Sequence, residues 1–140
     1  MTVVTTHDEF VAYVHSVYAA IARAVEEKDA DSFVRLYTPD AALMTPDGSI
    51  ISGRDAIRDA FVRFTAAGWV KQEAELVELI MGEDLVVGQE RTCGTFLVDG
   101  QRTVARNNCL IVYTRQGDGQ WLMHRDIWNA ISDTAGPGSY

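Results

Sequence analysis

The sequence predicts an α+β fold, with helices gathered in the first half of the chain and a meander of long antiparallel strands after them. Three observations carry that prediction. Apolar residues recur at three- and four-residue steps over much of the chain before Gly68. From Trp69 onward the period changes to two. An Asp-Gly pair, Asp99-Gly100, stands between two of the period-two segments, where it signals a tight hairpin. Helices followed by a run of strands pack as one helical layer against one face of an antiparallel sheet.

The elements follow in order. Thr6 with Glu9 three residues on forms a capping box, so a helix is expected to start near Asp8. Phe10, Val14, Val17, Ile21 and Val25 lie on one face of it, flanked by Tyr13 and Tyr18, and the polar run Glu26-Glu27-Lys28-Asp29 ends it. Asp29 or Asp31 caps a short second helix carrying Phe33, Leu36 and Tyr37, which Pro39 is expected to end. Ala41–Met44 and Ser49–Ile51 flank the turn residues Thr45-Pro46-Asp47-Gly48 and form a small hairpin. Ser52 and Asp55 read as a second capping box for a helix bearing Ile57, Ala60, Phe61 and Phe64, and Gly68 terminates it. Strands are predicted near 70–81, 84–98, 102–115 and 119–131. The small polar stretch Thr134–Tyr140 is expected to fray as a flexible tail, 132–140, beyond a core of 8–131. The chain is read as one domain spanning 1–140, the usual size for a single domain.

Composition narrows the partners. A net charge of −8 repels the phosphate backbone of nucleic acids and the surface of an anionic membrane. No stretch approaches the roughly 18 apolar residues that a spanning helix needs, and the N-terminus lacks a secretory signal pattern. Cys93 and Cys109 fall in different strands with different parity and without metal-type spacing, so two free thiols in a reducing cytoplasm are expected.

The opening helix from Tyr18 to Val25, the run Asp31-Ser32-Phe33-Val34-Arg35-Leu36-Tyr37-Thr38-Pro39-Asp40-Ala41, Asp47-Gly48 leading into Ser52-Gly53-Arg54-Asp55-Ala56-Ile57, and the final Gln120-Trp121-Leu122-Met123-His124-Arg125-Asp126-Ile127-Trp128-Asn129 resemble the nuclear-transport-factor-2-like superfamily in its SnoaL-like branch. The resemblance covers about residues 8–131. It implies a cone-shaped fold, three N-terminal helices packed on a strongly curved antiparallel sheet around a pocket for an organic small molecule. The superfamily hosts isomerases, cyclases, dehydratases, epoxide hydrolases and non-catalytic association domains, so the fold alone does not fix the chemistry.

Residues two apart in a strand share a face. Alternation therefore groups His124, Asp126 and Trp128; Glu90, Thr92 and Phe96; and Asn107, Cys109 and Ile111. The resemblance places these sets inward, with Tyr18, Met44 and Phe61 also lining the pocket. A one-residue bulge reverses such a set. Burial in that setting raises carboxylate pKa values and lowers that of an unpaired histidine, while pairing His124 with a carboxylate offsets the latter. His124 and Asp126 are the candidate catalytic pair; Tyr18, Met44, Phe61, Glu90, Thr92, Asn107 and Trp128 are the candidate binding residues. His124 can equally serve by bonding a carboxylate within the sheet. Cys109 reads first as a small buried hydrophobe. His124-x-Asp126 offers two ligand types on one face and Glu90 a third. But His7 and His15 lie far away near the first helix and no His-x3-His or paired-Cys spacing exists, so no metal or cofactor is expected.

The resemblance also excludes. Where ketosteroid isomerases carry their base carboxylate, oxyanion-hole tyrosine and buried acid, this chain has Thr45, Ile21 and Cys109. The Asp–Arg–Asp arrangement of the fold's epoxide hydrolases fails because Arg106 has the outward parity. The SnoaL-like cyclases, with a final-strand acid and a nearby histidine, correspond best. The expectation is a cofactor-free isomerase, cyclase or dehydratase (a lyase) of small-molecule biosynthesis, acting on a hydrophobic carbonyl compound. The alternative is a non-catalytic ligand-binding or dimerisation domain. A homodimer through the convex face, carrying Arg91, Cys93, Thr95, Leu97, Arg106, Asn108 and Leu110, accompanies either reading.

Overall fold

The computed structural model describes residues 5–132; the tail from Thr134 to Tyr140 that the sequence marks as fraying lies outside them. Helix α1 spans His7–Glu27, with Thr6 as its N-cap: the Thr6 hydroxyl accepts from the Glu9 amide at 3.1 Å. Phe10, Val14, Val17, Ala24 and Val25 are buried along one face. Lys28 closes the helix in the left-handed conformation, φ 55°, and its amide donates to the Ala24 and Val25 carbonyls. Asp29, rather than Asp31, caps α2 (Ala30–Val34): its carboxylate accepts from both the amide and the hydroxyl of Ser32. Asp31 instead pairs with Arg58.

Helix α2 is shorter than the sequence pattern suggests. Leu36 and Tyr37 are not helical, and Pro39 does not end a helix but lies inside strand β1 (Tyr37–Met44). The cause is tertiary. The Leu36 carbonyl accepts from the Met123 amide at 2.9 Å, and Arg54 donates twice to the Tyr37 carbonyl, at 3.0 and 2.6 Å. Those bonds hold the segment extended against the last strand. The ladder is interrupted between Tyr37 and Ala42, so Pro39, which has no N–H to give, falls where none is required.

Strand β1 turns through Thr45–Gly48 into β2 (Ile50–Ser52), as the turn residues predict. Helix α3 (Arg54–Ala66) then starts without the expected Ser52–Asp55 box. Ser52 is still in β2, paired with Ala42, and Gly53 is the N-cap with no side-chain cap bond. Gly68 ends the α3 turn at φ 116°, a conformation that disfavours any Cβ; a Cβ there would also fall 2.3 Å from the Leu97 carbonyl oxygen.

The remaining strands are β3 (Trp69–Ile80), β4 (Leu85–Val98), β5 (Gln101–Arg115) and β6 (Trp121–Ala130), close to the predicted bounds. Asp99 and Gly100 both have positive φ, 51° and 77°, as a two-residue type I′ hairpin requires. The sheet order is β2-β1-β6-β5-β4-β3, antiparallel throughout except where β1 runs parallel to β6. Shifts of register in β1, β3 and β6 bend the sheet. Two aromatic groups join helices to sheet. Phe10 meets Tyr113 and Trp121 edge-on, at ring distances of 5.3 and 5.0 Å, while Phe33 stacks on Phe61 at 4.5 Å and both rings meet Trp69 of β3. Between these groups the helices and the sheet leave a hollow. No helix among the described residues is long and apolar enough to cross a membrane.

Candidate functional site

The hollow is a cavity of about 610 Å³, the size that holds an organic small molecule. Helix α1 contributes Val17, Tyr18 and Ile21 to its wall; α3 contributes Ile57, Ala60, Phe61 and Phe64. Alternation holds through β4 and β5: Glu90, Thr92, Gly94 and Phe96 face the cavity from one, and Asn107, Cys109, Ile111 and Tyr113 from the other. Thr45 also lines it. Arg106 faces the opposite way, into a shallow convex groove with Arg91 and Cys93. Cys93 and Cys109 are free thiols.

Strand β6 departs from simple alternation. Val112 pairs with Arg125, but Tyr113 pairs with Met123, so His124 is an extra residue with no partner on β5. This bulge reverses the inward set at that point. Met123, Asp126 and Trp128 face the cavity, and His124 does not. Its Nδ1 lies 2.8 Å from the Thr38 hydroxyl and 3.7 Å from the exposed Asp40 carboxylate, outside the lining. The imidazole thereby ties the bulge of β6 to the irregular stretch of β1. Met44 is the second correction. Leu43 pairs with Asp126 across the parallel ladder, and neighbours opposite each other share a face, so Leu43 lines the cavity while Met44 turns away with Ile127. Of the nine residues singled out from sequence, Asp126, Tyr18, Phe61, Glu90, Thr92, Asn107 and Trp128 converge on the cavity.

Two carboxyl groups dominate its chemistry. Glu90 is 2% exposed and accepts a hydrogen bond from the Tyr113 hydroxyl at 2.6 Å. Burial pushes its pKa up to about 6, and the tyrosine bond offsets part of that rise. Asp126 is packed round by protein, and the surface left to it belongs to the cavity wall. Burial and then the neighbouring charge of Glu90 raise its pKa to about 7, against a 3.4 Å hydrogen bond from the Tyr37 hydroxyl. The two groups therefore divide protons between them near neutral pH, one mostly ionised and the other poised. The Tyr18 hydroxyl is buried beside Glu90, and burial, followed by the charge of Glu90 and a hydrogen bond to it, raises its pKa. Burial also pushes the Cys109 thiol up to about 12, so it stays protonated beside Thr92.

Tyr37 and Tyr113, the donors to the two carboxyls, were not among the sequence candidates. Tyr113 was legible, because it continues the Asn107–Cys109–Ile111 alternation by one step. Tyr37 was not, because its segment reads as helix. Among the described residues no three His, Cys, Asp or Glu side chains are grouped as metal ligands.

Residues 17–124 match the family of SnoaL-like domains. The chain belongs to that family. Solved structures with the nuclear-transport-factor-2-like fold resemble it over most of its length. A ketosteroid isomerase-like protein from Erwinia carotovora atroseptica superposes with a TM-score of 0.75 at 22% identity, covering 86% of this chain and 95% of that one. A protein from Catenulispora acidiphila in complex with S-DNPA gives 0.72 at 19%, over 89% and 95%. A putative calcium/calmodulin-dependent protein kinase II association domain from Xanthomonas campestris gives 0.70 at 20%, over 89% and 87%. At these identities the likeness is one of fold. No curated protein sequence matches the chain.

Proposed function

We propose that this SnoaL-like domain is a cofactor-free acid–base enzyme that isomerises, cyclises or dehydrates a hydrophobic carbonyl compound. One observation carries the reading: two carboxyl groups with raised pKa values, Asp126 and Glu90, share a mainly apolar cavity. A base poised near the working pH combines a useful ionised fraction with driving force for proton transfer. Ionised Asp126 takes a proton from the carbon next to the substrate carbonyl, and the electron pair moves to the carbonyl oxygen. The Tyr18 hydroxyl, buried in the cavity wall beside Glu90, donates to that developing oxyanion. The protonated carboxyl then returns the proton elsewhere on the enolate. His124 has no part in this scheme. The chemistry needs only side chains the chain supplies, and an apolar wall selects a hydrophobic substrate. The neighbour holding S-DNPA supports ligand occupancy of such a fold.

The test is solvent exchange. The protein is incubated in heavy water with a panel of cyclic and aryl ketones, and deuterium at the α-carbon is followed by mass spectrometry. Wild type should accelerate exchange for at least one ketone, and Asp126→Asn should abolish it with the fold intact. If ketones bind but neither protein accelerates exchange, the domain is the non-catalytic ligand-binding relative instead.

As a companion proposal, the protein is a cytoplasmic homodimer that pairs through the convex face. Leu110 and Ile127 lie opposite each other across β5 and β6 and are 47% and 40% exposed, an apolar centre framed by Gln89, Asn108 and Asn129. Light scattering should return twice the chain mass, and Leu110→Glu should halve it.

A further inference from the structure

Gly88 is absent from every candidate set, yet it stands on the cavity face of β4 two residues before Glu90. Cross-strand pairing arranges that face in rows: Val86–Tyr113–Met123, Gly88–Ile111–Asp126 and Glu90–Cys109–Trp128. The Glu90 carboxyl does not stay in its own row. It reaches back along the strand, across the bare Cα of Gly88, to the Tyr113 hydroxyl one row further on. A Cβ at position 88 would lie 2.6 Å from Glu90 Oε2 and 3.2 Å from the Tyr113 ring. The first distance is below any van der Waals contact, and the atom it strikes is the free end of a flexible side chain. Gly88 is also outside the left-handed region, so the backbone itself accommodates alanine. The group that must yield is the carboxyl.

We infer that Gly88 is the positioning residue for Glu90: its missing side chain is the channel through which the carboxyl reaches Tyr113 and enters the row that contains Asp126. This rests on the reading of Glu90 as part of the proton-handling pair, and it explains how a buried glutamate on a crowded sheet face finds its donor. Gly94, also on the cavity face of β4, provides the contrast. A Cβ there would meet Gln72 Oε1 at 3.0 Å and the Trp69 indole nitrogen at 3.3 Å, groups already bonded to each other and remote from Glu90.

The experiment reads the Glu90 carboxyl pKa by carbon-13 NMR without substrate, assigned with Glu90→Gln. Tyr113→Phe removes the donor and should raise that pKa by about one unit, because the bond favours the ionised carboxylate. Gly88→Ala should raise it by a similar amount, the double variant should add nothing further, and Gly94→Ala should leave it in place. A Glu90 pKa unchanged or lowered in Gly88→Ala overturns the inference. Thermal midpoints give a second reading that survives poor folding of the single variant. Gly88→Ala should lower Tm more in the wild-type background than in Glu90→Ala, where the carboxyl is gone and only the tight contact with the Tyr113 ring remains. Equal losses in the two backgrounds overturn it. Because both readings are made without turnover, failure of the exchange assay would sink the proposed reaction and leave this inference standing.

Discussion

Replacing Asp126 by Asn makes the energetic cost of the cavity acid measurable. The carboxyl pKa is raised from 3.8 to about 7 in the folded protein, a shift of about 3 units, and each unit corresponds to roughly 1.4 kcal/mol. Full expression would be about 4 kcal/mol. Water reaching the carboxyl through the cavity lowers that, so we expect about 2–4 kcal/mol. The sign follows from the raised value. The folded state holds the proton more tightly than the unfolded chain, so the stabilisation is complete below pH 4 and is lost as pH rises through 7. Asn mimics the protonated acid and can still accept from the Tyr37 hydroxyl. The variant should therefore match wild type near pH 4 and exceed it by about 2–4 kcal/mol at pH 8, a large part of the 5–15 kcal/mol typical of such domains. A smaller slope, from Glu90, should persist in the variant between about pH 4.5 and 6. Urea unfolding at half-unit steps from pH 4 to 8.5 measures both. Superimposable profiles would refute the burial of Asp126 as an acid of raised pKa and, with it, the base assigned to the reaction.

Other consequences are quicker to check. His124→Asn should leave ketone binding and exchange within about twofold of wild type, because the imidazole lies outside the cavity; its loss should register instead as about 1 kcal/mol of stability, from the Thr38 hydrogen bond. Gly68→Ala should cost more than about 2 kcal/mol by chemical denaturation, since positive φ and the Leu97 carbonyl both oppose a Cβ. A thiol reagent at pH 8 should modify the half-buried Cys93 first and Cys109 only on unfolding, because Cys109 is buried and remains protonated. Equal rates at the two thiols would contradict the raised pKa of Cys109.

Local physics determined much of this protein from sequence. The stripe from Phe10 to Val25, the cap at Thr6 and the Asp99-Gly100 hairpin depend on neighbours in the chain, and each stands where the pattern predicts. The long regular runs of β4 and β5 kept side-chain parity intact, so Glu90, Thr92 and Asn107, which the family resemblance set inward, do line the cavity. What failed was decided by partners distant in sequence. Tyr37 is extended because Arg54 and β6 bind its segment, though its own stretch reads as helix. His124 leaves the cavity because one extra residue in β6 has no counterpart on β5, and Met44 turns away because Leu43 pairs with Asp126. Register between strands is a property of two segments together, and a single insertion inverts every side chain beyond it. The same holds for proton affinity. Sequence supplied two acids, but only the fold set them in one apolar hollow, where lost solvation raises both and the charge of Glu90 raises Asp126 further, toward neutral pH.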